Sequence, residues 1–113
     1  KDAKAVLGKV AKIMKAKSTL EILVEGHTDT DPIATECISD NWELSALRAT
    51  NIVRVLQNDF EIAPERMTAA GRGEYVPVAT NETREGRAAN RRTRIVVLPK
   101  LDEFNKLIEE GLN

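Results

Sequence analysis

The chain is short of the residues that most often do chemistry: one cysteine, one histidine, one tryptophan and one tyrosine among 113 residues. Cys37 has no second thiol to pair with, so no internal disulfide can hold the fold, and a lone cysteine leaves the redox compartment open. His27 is the only histidine. Asp29 and Asp31 lie beside it, but the alternating Asp/Asn pattern of a calcium loop, with its glycine and closing glutamate, is absent. The ligand count is poor for zinc as well, so no metal and no other cofactor are expected. A hydrolase needs a nucleophile, a base and oxyanion donors. Ser45 or Cys37 with His27 can be imagined in the first two roles, yet no nucleophile elbow or zinc motif accompanies them, and no enzyme activity is expected. Aromatics are 4% of the chain (Trp42, Phe60, Tyr75 and Phe104), which makes stacking platforms for bases or sugars scarce. The net charge of −1 excludes a global field drawing the chain to nucleic acid or membrane. No run is long enough to span a bilayer. No signal peptide is read in these residues, and a chain opening directly on a helical pattern is expected to be a mature fragment of something longer.

What is there suffices for one domain with a real core, at 42% apolar and 31% charged residues. Lys1 to Lys17 has apolar residues at three- to four-residue spacing (Ala3, Val6 or Leu7, Val10, Ile13 or Met14), which predicts an amphipathic helix. Its lysines, at 1, 4, 9, 12, 15 and 17, read as a solvated face. Leu20 to Glu25 predicts a strand. Gly26 to Asp40 is a long loop, of a length that in compact domains is usually functional or mobile. Asp40 with Glu43 approximates a capping box, placing a helix from about Asn41 to about Asn58. Phe60 and Ile62 dock a connector ended by Ala63-Pro64. Arg66 to Ala70 is a weaker strand, Gly71 to Pro77 a glycine-punctuated loop, and Asn81 or Thr83 can cap a short helix through Asn90. Arg92 to Leu98 predicts a core strand stopped by Pro99. Leu101, Phe104, Ile108 and Leu112 mark a last amphipathic helix. Strand, crossover helix, strand makes a parallel pair, so the expected fold is α/β: a mixed sheet with helices packed mainly on one face.

The chain is organised around Gly26-His27-Thr28-Asp29 and the helix that begins at Asn41. On a wheel with Leu44 as origin, Val55 falls at about 20°, Ile52 at about 80° and Leu56 at about 120°, with Arg48 at about 40° in the middle of that apolar stripe. A guanidinium there is costly unless it is paired or reaches a polar cleft at the helix end. In open α/β sheets ligands bind beyond the carboxyl ends of strands, where helix N-termini also gather. Asp29 leaves a strand at that end and Arg48 enters from the helix there. Together they can hold a small zwitterion by its amine and its carboxylate, or they can form an internal salt bridge that only fixes the loop.

Arg84, Arg87, Arg91, Arg92 and Arg94 form a dense basic segment. Glu82 and Glu85 dilute it, no aromatic platform adjoins it in sequence, and the whole chain is not basic, so nucleic acid is not the expected partner. The alternative is that one arginine turns into the cleft of Asp29 and Arg48 while the rest are solvated, since arginine suits bidentate capture of a carboxylate.

Four motifs in order, Gly26-His27-Thr28-Asp29, Asn41-x-x-Leu44-Ser45-x-x-Arg48-Ala49, Gly71-x-Gly73-Glu74-x-x-Pro77 and Asn81-x-Thr83-x-x-Gly86-Arg87-x-x-Asn90-Arg91-Arg92, resemble the OmpA-like carboxy-terminal domain. That family includes peptidoglycan-associated lipoproteins and flagellar stator proteins of the MotB type; Asn41-Trp42-Glu43-Leu44-Ser45 is most similar to the stator branch. The resemblance runs from Leu20 to Leu98. It implies a periplasmic domain that binds peptidoglycan without cleaving it, gripping the diaminopimelate of the stem peptide. On that basis Asp29 holds the ammonium group and Arg48 the carboxylate. Asn41 and Arg91 are secondary contacts, and Thr28 and Leu44 line the pocket. The domain itself lies outside the membrane, with an outer- or inner-membrane segment upstream and a dimer left open. The expectation is a single domain over residues 1–113 that lacks the family's usual first strand, which leaves a sheet edge exposed. The loop from Thr30 to Asp40, with Cys37, is longer than in the lipoproteins.

Overall fold

The computed structural model describes residues 2–98 and 108–111. In order these form helix α1 (Asp2–Ala16), strand β1 (Glu21–Gly26), helix α2 (Asn41–Asn58), a single 3-10 turn (Pro64–Arg66), strand β2 (Met67–Gly71), helix α3 (Arg84–Asn90) and strand β3 (Thr93–Leu98). β1 is central, parallel to β2 and antiparallel to β3, in the order β2-β1-β3. The mixed α/β sheet expected from the sequence is therefore the fold. The α1 and α2 boundaries follow the sequence pattern closely. Residues 108–111 are helical; Pro99, Leu101, Phe104 and Leu112 lie outside the described residues.

Local chemistry explains the boundaries. Asp40 caps α2, its Oδ1 accepting from the Glu43 amide at 3.0 Å. The capping box is only half closed, because the Glu43 carboxylate takes the Ser39 hydroxyl instead of reaching back to the cap. Thr83, rather than Asn81, caps α3 through Gly86 N at 3.0 Å. Arg66 ties down the other end of the molecule. It donates from Nη2 to Met14 O (2.8 Å) and Lys17 O (2.7 Å) and from Nε to Leu20 O (3.0 Å), satisfying carbonyls where α1 runs out.

The core joins Leu7, Ala11 and Met14 of α1, Ile22 and Val24 of β1, Ala49 and Leu56 of α2, and Ile62 of the connector. Alternation along β1 turns Leu23 and Glu25 to the opposite face. In the projection that takes Leu44 as origin, the buried residues of α2 (Asn41, Ser45, Ala49 and Leu56) lie between about 60° and about 140°. The helix is thus rolled away from its larger side chains. Leu47 is 38% exposed, and Arg48 sits at the flank of the buried face instead of at its middle. The reason is backbone contact. A Cβ built on Gly26 would lie 1.9 Å from Ser45 O, and one on Gly71 would lie 2.6 Å from Ser45 Oγ and 2.7 Å from Ala46 N. Only small residues on both sides allow strand ends and helix to meet this closely.

Among the described residues β3 is paired on one side only. Val6 of α1 and Val97 of β3 are exposed, and Val6, Leu7, Ile52, Thr93 and Ile95 line an apolar recess of about 290 Å³. An uncovered apolar strip therefore runs along α1 and the free edge of the sheet.

Gly26→Ala tests the close approach. The added methyl meets main chain, which cannot rotate away. The expected loss is about 3 kcal/mol of unfolding free energy or more, read as a lower denaturant midpoint at unchanged slope. A change within about 0.5 kcal/mol would mean that α2 can back off freely.

Candidate functional site

The segment after β1 is stitched on both sides. Arg72 N donates to Gly26 O (3.0 Å), His27 N to Arg92 O (2.8 Å) and Thr28 N to Gly73 O (2.9 Å). Gly26 through Asp29 is buried as a result. Thr28 Oγ1 donates to the Asp29 carbonyl at 2.8 Å, so this buried hydroxyl fixes the loop rather than lining open space. The Asp29 carboxylate, 7% exposed, accepts from Asp31 N at Oδ1 (3.0 Å) and from Arg91 Nη1 at Oδ2 (2.5 Å).

Arg48 does not take that carboxylate. Its Nη1 donates to His27 O at 2.8 Å, and the ion pair to Asp29 comes from Arg91. The internal Asp29–Arg48 bridge left open by the sequence is not formed. Arg48 nevertheless belongs to the cluster: burial lowers its proton affinity below the ordinary arginine value, Asp29 works against that, and Arg91 adds to it. Of its five N–H donors, those other than the one on His27 O have no protein acceptor among the described residues. Asn41, the first residue of α2, points Nδ2 at Asp29 O (3.2 Å), Asp31 O (3.1 Å) and Glu74 Oε1 (3.3 Å). Leu44 is one turn before Arg48 on the same side of the helix and is half-buried. The structure thus brings Asp29, Arg48, Asn41, Arg91 and Thr28 into one polar cluster, with Leu44 at its flank.

The basic segment divides differently from the expectation of one inward arginine and four solvated ones. Arg91 does turn inward. Arg87 donates to Asn81 O at 2.9 Å and stands 3.9 Å from Asp31 Oδ2, and Arg92 donates to Val76 O at 3.0 Å. Only Arg84 and Arg94 of the segment are both exposed and without such a contact among the described residues. The neighbouring Asn90 is fully buried and saturated. Its Oδ1 accepts from Val78 N (2.8 Å) and Ala79 N (3.0 Å), and its Nδ2 donates to Ala79 O (3.0 Å) and Asn81 Oδ1 (2.9 Å). That anchorage precedes Arg91 by one residue and so sets where Arg91 starts. Sequence reasoning assigned no role to Asn90 or Glu74, and weighed Ser45 only as a nucleophile that no motif supports. Their one signal was inclusion in the spaced motifs.

His27 and Glu25 form a buried pair, Nε2 to Oε1 at 3.3 Å. His27 Nδ1 and Asn41 Oδ1 are buried with no partner among the described residues. No group of three or more His, Cys, Asp or Glu suited to a metal occurs among the described residues. Burial lowers the His27 pKa below 6.5, Arg92 adds to this, the hydrogen bond and charge of Glu25 oppose it, and Arg72 lowers it further.

A family model described as OmpA family matches residues 1–91. Motility protein B of Bacillus subtilis is 42% identical over 79 residues, 70% of this chain and 30% of that protein. The C-terminal domain of Helicobacter pylori MotB superposes with a TM-score of 0.79 at 25% identity, over 100% of this chain and 88% of that one. The cell wall anchor of the T6SS from Pseudomonas aeruginosa superposes with a TM-score of 0.71 at 38% identity, over 85% of this chain and 65% of that one. The chain spans less than half the length of the curated relatives it matches.

A pH dependence follows from His27. Its folded pKa lies below the unfolded value, so the native state favours the neutral ring. The stability this confers is present above pH 6.5 and is lost as pH falls through the folded-state pKa. The fall in unfolding free energy between about pH 7 and about pH 5 should be shallower in His27→Gln than in the parent. Parallel curves in denaturant titrations would rule His27 out as the source.

Proposed function

The chain belongs to the OmpA family, and from that premise we propose that it anchors its protein non-covalently to peptidoglycan by gripping the diaminopimelate of the stem peptide. The observation that carries the reading is the presence of both charges in one cluster with bonding capacity left on each. Asp29 uses two of its roughly four acceptor sites, on Asp31 N and Arg91. Arg48 uses one contact, on His27 O. A ligand bearing an ammonium and a carboxylate on one carbon matches that pair. In this reading Asp29 receives the ammonium and Arg48 the carboxylate. Arg91 and Asn41 hold Asp29 and its loop in place while adding secondary contacts, Thr28 fixes the loop, and Leu44 borders the ligand's methylene chain. The act is binding, through charge-assisted hydrogen bonds in a half-buried cleft.

In this reading the domain lies in the periplasm, on a protein held in the outer membrane or elsewhere in the envelope. A second reading, a peptidoglycan anchor of a flagellar stator, is favoured by the likeness to motility protein B and MotB; it uses the same cleft. The further strand that the family resemblance implies fits the free edge of β3, where it would cover Val97 and close the recess lined by Val6 and Ile95.

Calorimetric titration with a meso-diaminopimelate stem tetrapeptide tests the anchor. Arg48→Ala should weaken binding by roughly thirtyfold, the loss of a charged hydrogen-bond pair of about 2 kcal/mol. Asp29→Asn should cost less, since an acceptor remains. Equal or reversed losses would count against these roles, and no heat from the parent chain would sink the reading. A chain extended at its N-terminus with a strand-bearing segment should slow hydrogen exchange across Thr93–Leu98 and raise the denaturant midpoint. Unchanged exchange there would refute the pairing.

A further inference from the structure

Trp42 and Tyr75 come from distant parts of the chain, and their rings meet at 5.0 Å between centroids and 33° between planes. Both remain open to solvent, at 51% and 62% exposure. Large aromatic rings bury themselves where they can. Here both are held outward by a rigid support. Gly73 N donates to Ser45 Oγ at 2.9 Å, Ser45 Oγ donates to Trp42 O at 2.9 Å, and Asn41 Nδ2 contacts Glu74 Oε1 at 3.3 Å. Gly73 lies beneath the pair: a Cβ there would stand 3.1 Å from Tyr75 Cδ2 and 3.4 Å from Trp42 Cδ2, and its φ of 61° suits glycine. The platform is one residue from the cleft on each side, since Trp42 follows Asn41 and Tyr75 follows Glu74.

We propose that the Trp42–Tyr75 platform is a carbohydrate subsite that stacks on a sugar ring of the glycan strand whose stem peptide enters the Asp29–Arg48 cleft. It rests on the anchoring reading and extends it from the peptide to the glycan. The apolar face of a pyranose presents C–H groups to an aromatic ring, and its hydroxyls meet the polar rim. In a wall stem peptide a few residues of extended chain, about 3.4 Å each, separate a cleft-bound residue from the sugar, and the platform adjoins the cleft in sequence through Asn41 and Glu74. A protein partner would need about 800 Å² of contact on this side, and two rings with a charged surround do not supply it.

Trp42 is the only tryptophan, so its emission reads the subsite directly. The probes are the sugar-free stem tetrapeptide and the disaccharide tetrapeptide. The parent chain should bind the sugar-bearing ligand roughly tenfold more tightly, as stacking on one ring gives, with an emission change that the tetrapeptide does not cause. Trp42→Ala and Tyr75→Ala should erase that preference while leaving tetrapeptide affinity unchanged, and Trp42→Phe should retain it. Equal affinity of the parent for both ligands, or equal loss of both in Trp42→Ala, would overturn the proposal. If the tetrapeptide does not bind at all, the anchoring reading fails by itself, and peptide-free glycan strands decide the platform. An emission change abolished by Tyr75→Ala upholds it, and a flat response overturns it.

Discussion

The arrangement depends on how closely α2 lies against the ends of β1 and β2. Gly26 and Gly71 bring the strand ends to the main chain of Ser45 and Ala46, and no side chain fits between them. Once this contact is made, the first turns of α2 stand beside the loops that leave both strands. Asn41 then reaches Asp29 and Glu74, Ser45 holds Gly73, and Arg48 reaches His27 O. Each of these is a short polar bond across elements far apart in sequence. Each would be lost if the helix backed away by the width of a methyl group.

The polar and apolar parts of the molecule are spatially separated by this geometry. Leu7, Ala11, Met14, Ile22, Val24, Leu56 and Ile62 fill the end near α1. Glu25, His27, Thr28, Asp29, Asn41, Ser45 and Asn90 are buried at the opposite end. Buried polar groups stabilise a fold only when they are matched. Asn90 is matched completely, by bonds to the segment from Val78 to Asn81. Asp29 and Arg48 are matched in part, and the proposed binding uses their remaining acceptors and donors.

Much of this was legible in the sequence. The bounds of α2 and α3 could be read from local capping, because a cap lies within three residues of what it bonds. The parallel pair followed from a strand, a long helix and a strand in succession. The pairing inside the cleft did not follow. Helical periodicity placed Arg48 in the apolar stripe, and its role was left between holding a ligand carboxylate and bridging to Asp29; the bridge is not formed. That placement took the large side chains to be the buried ones. In fact small residues set the roll of α2, which a wheel weighted by hydrophobicity cannot show. From the residues alone Arg91 was one of five arginines in a run, one of which was expected to enter the cleft; the family resemblance singled it out, and in the structure it pairs with Asp29. Trp42 and Tyr75 looked like isolated aromatics because their contact spans two elements that meet only in the folded chain.

The Arg91–Asp29 pair has a consequence for how a cationic ligand would be held. Arg91 already supplies a positive charge to Asp29, so an incoming ammonium adds a second cation to one carboxylate. Arg91 is 41% exposed against 7% for Asp29, and its charge is therefore partly solvated. Arg48 is the reverse case, since it is more deeply set and its carbonyl partner is neutral. A ligand carboxylate would give it the only full countercharge it does not share. The two arginines thus differ in kind. Arg91 pairs directly with the buried Asp29 carboxylate, whereas Arg48 meets only a neutral carbonyl and keeps the donors that the proposed reading gives to a ligand carboxylate.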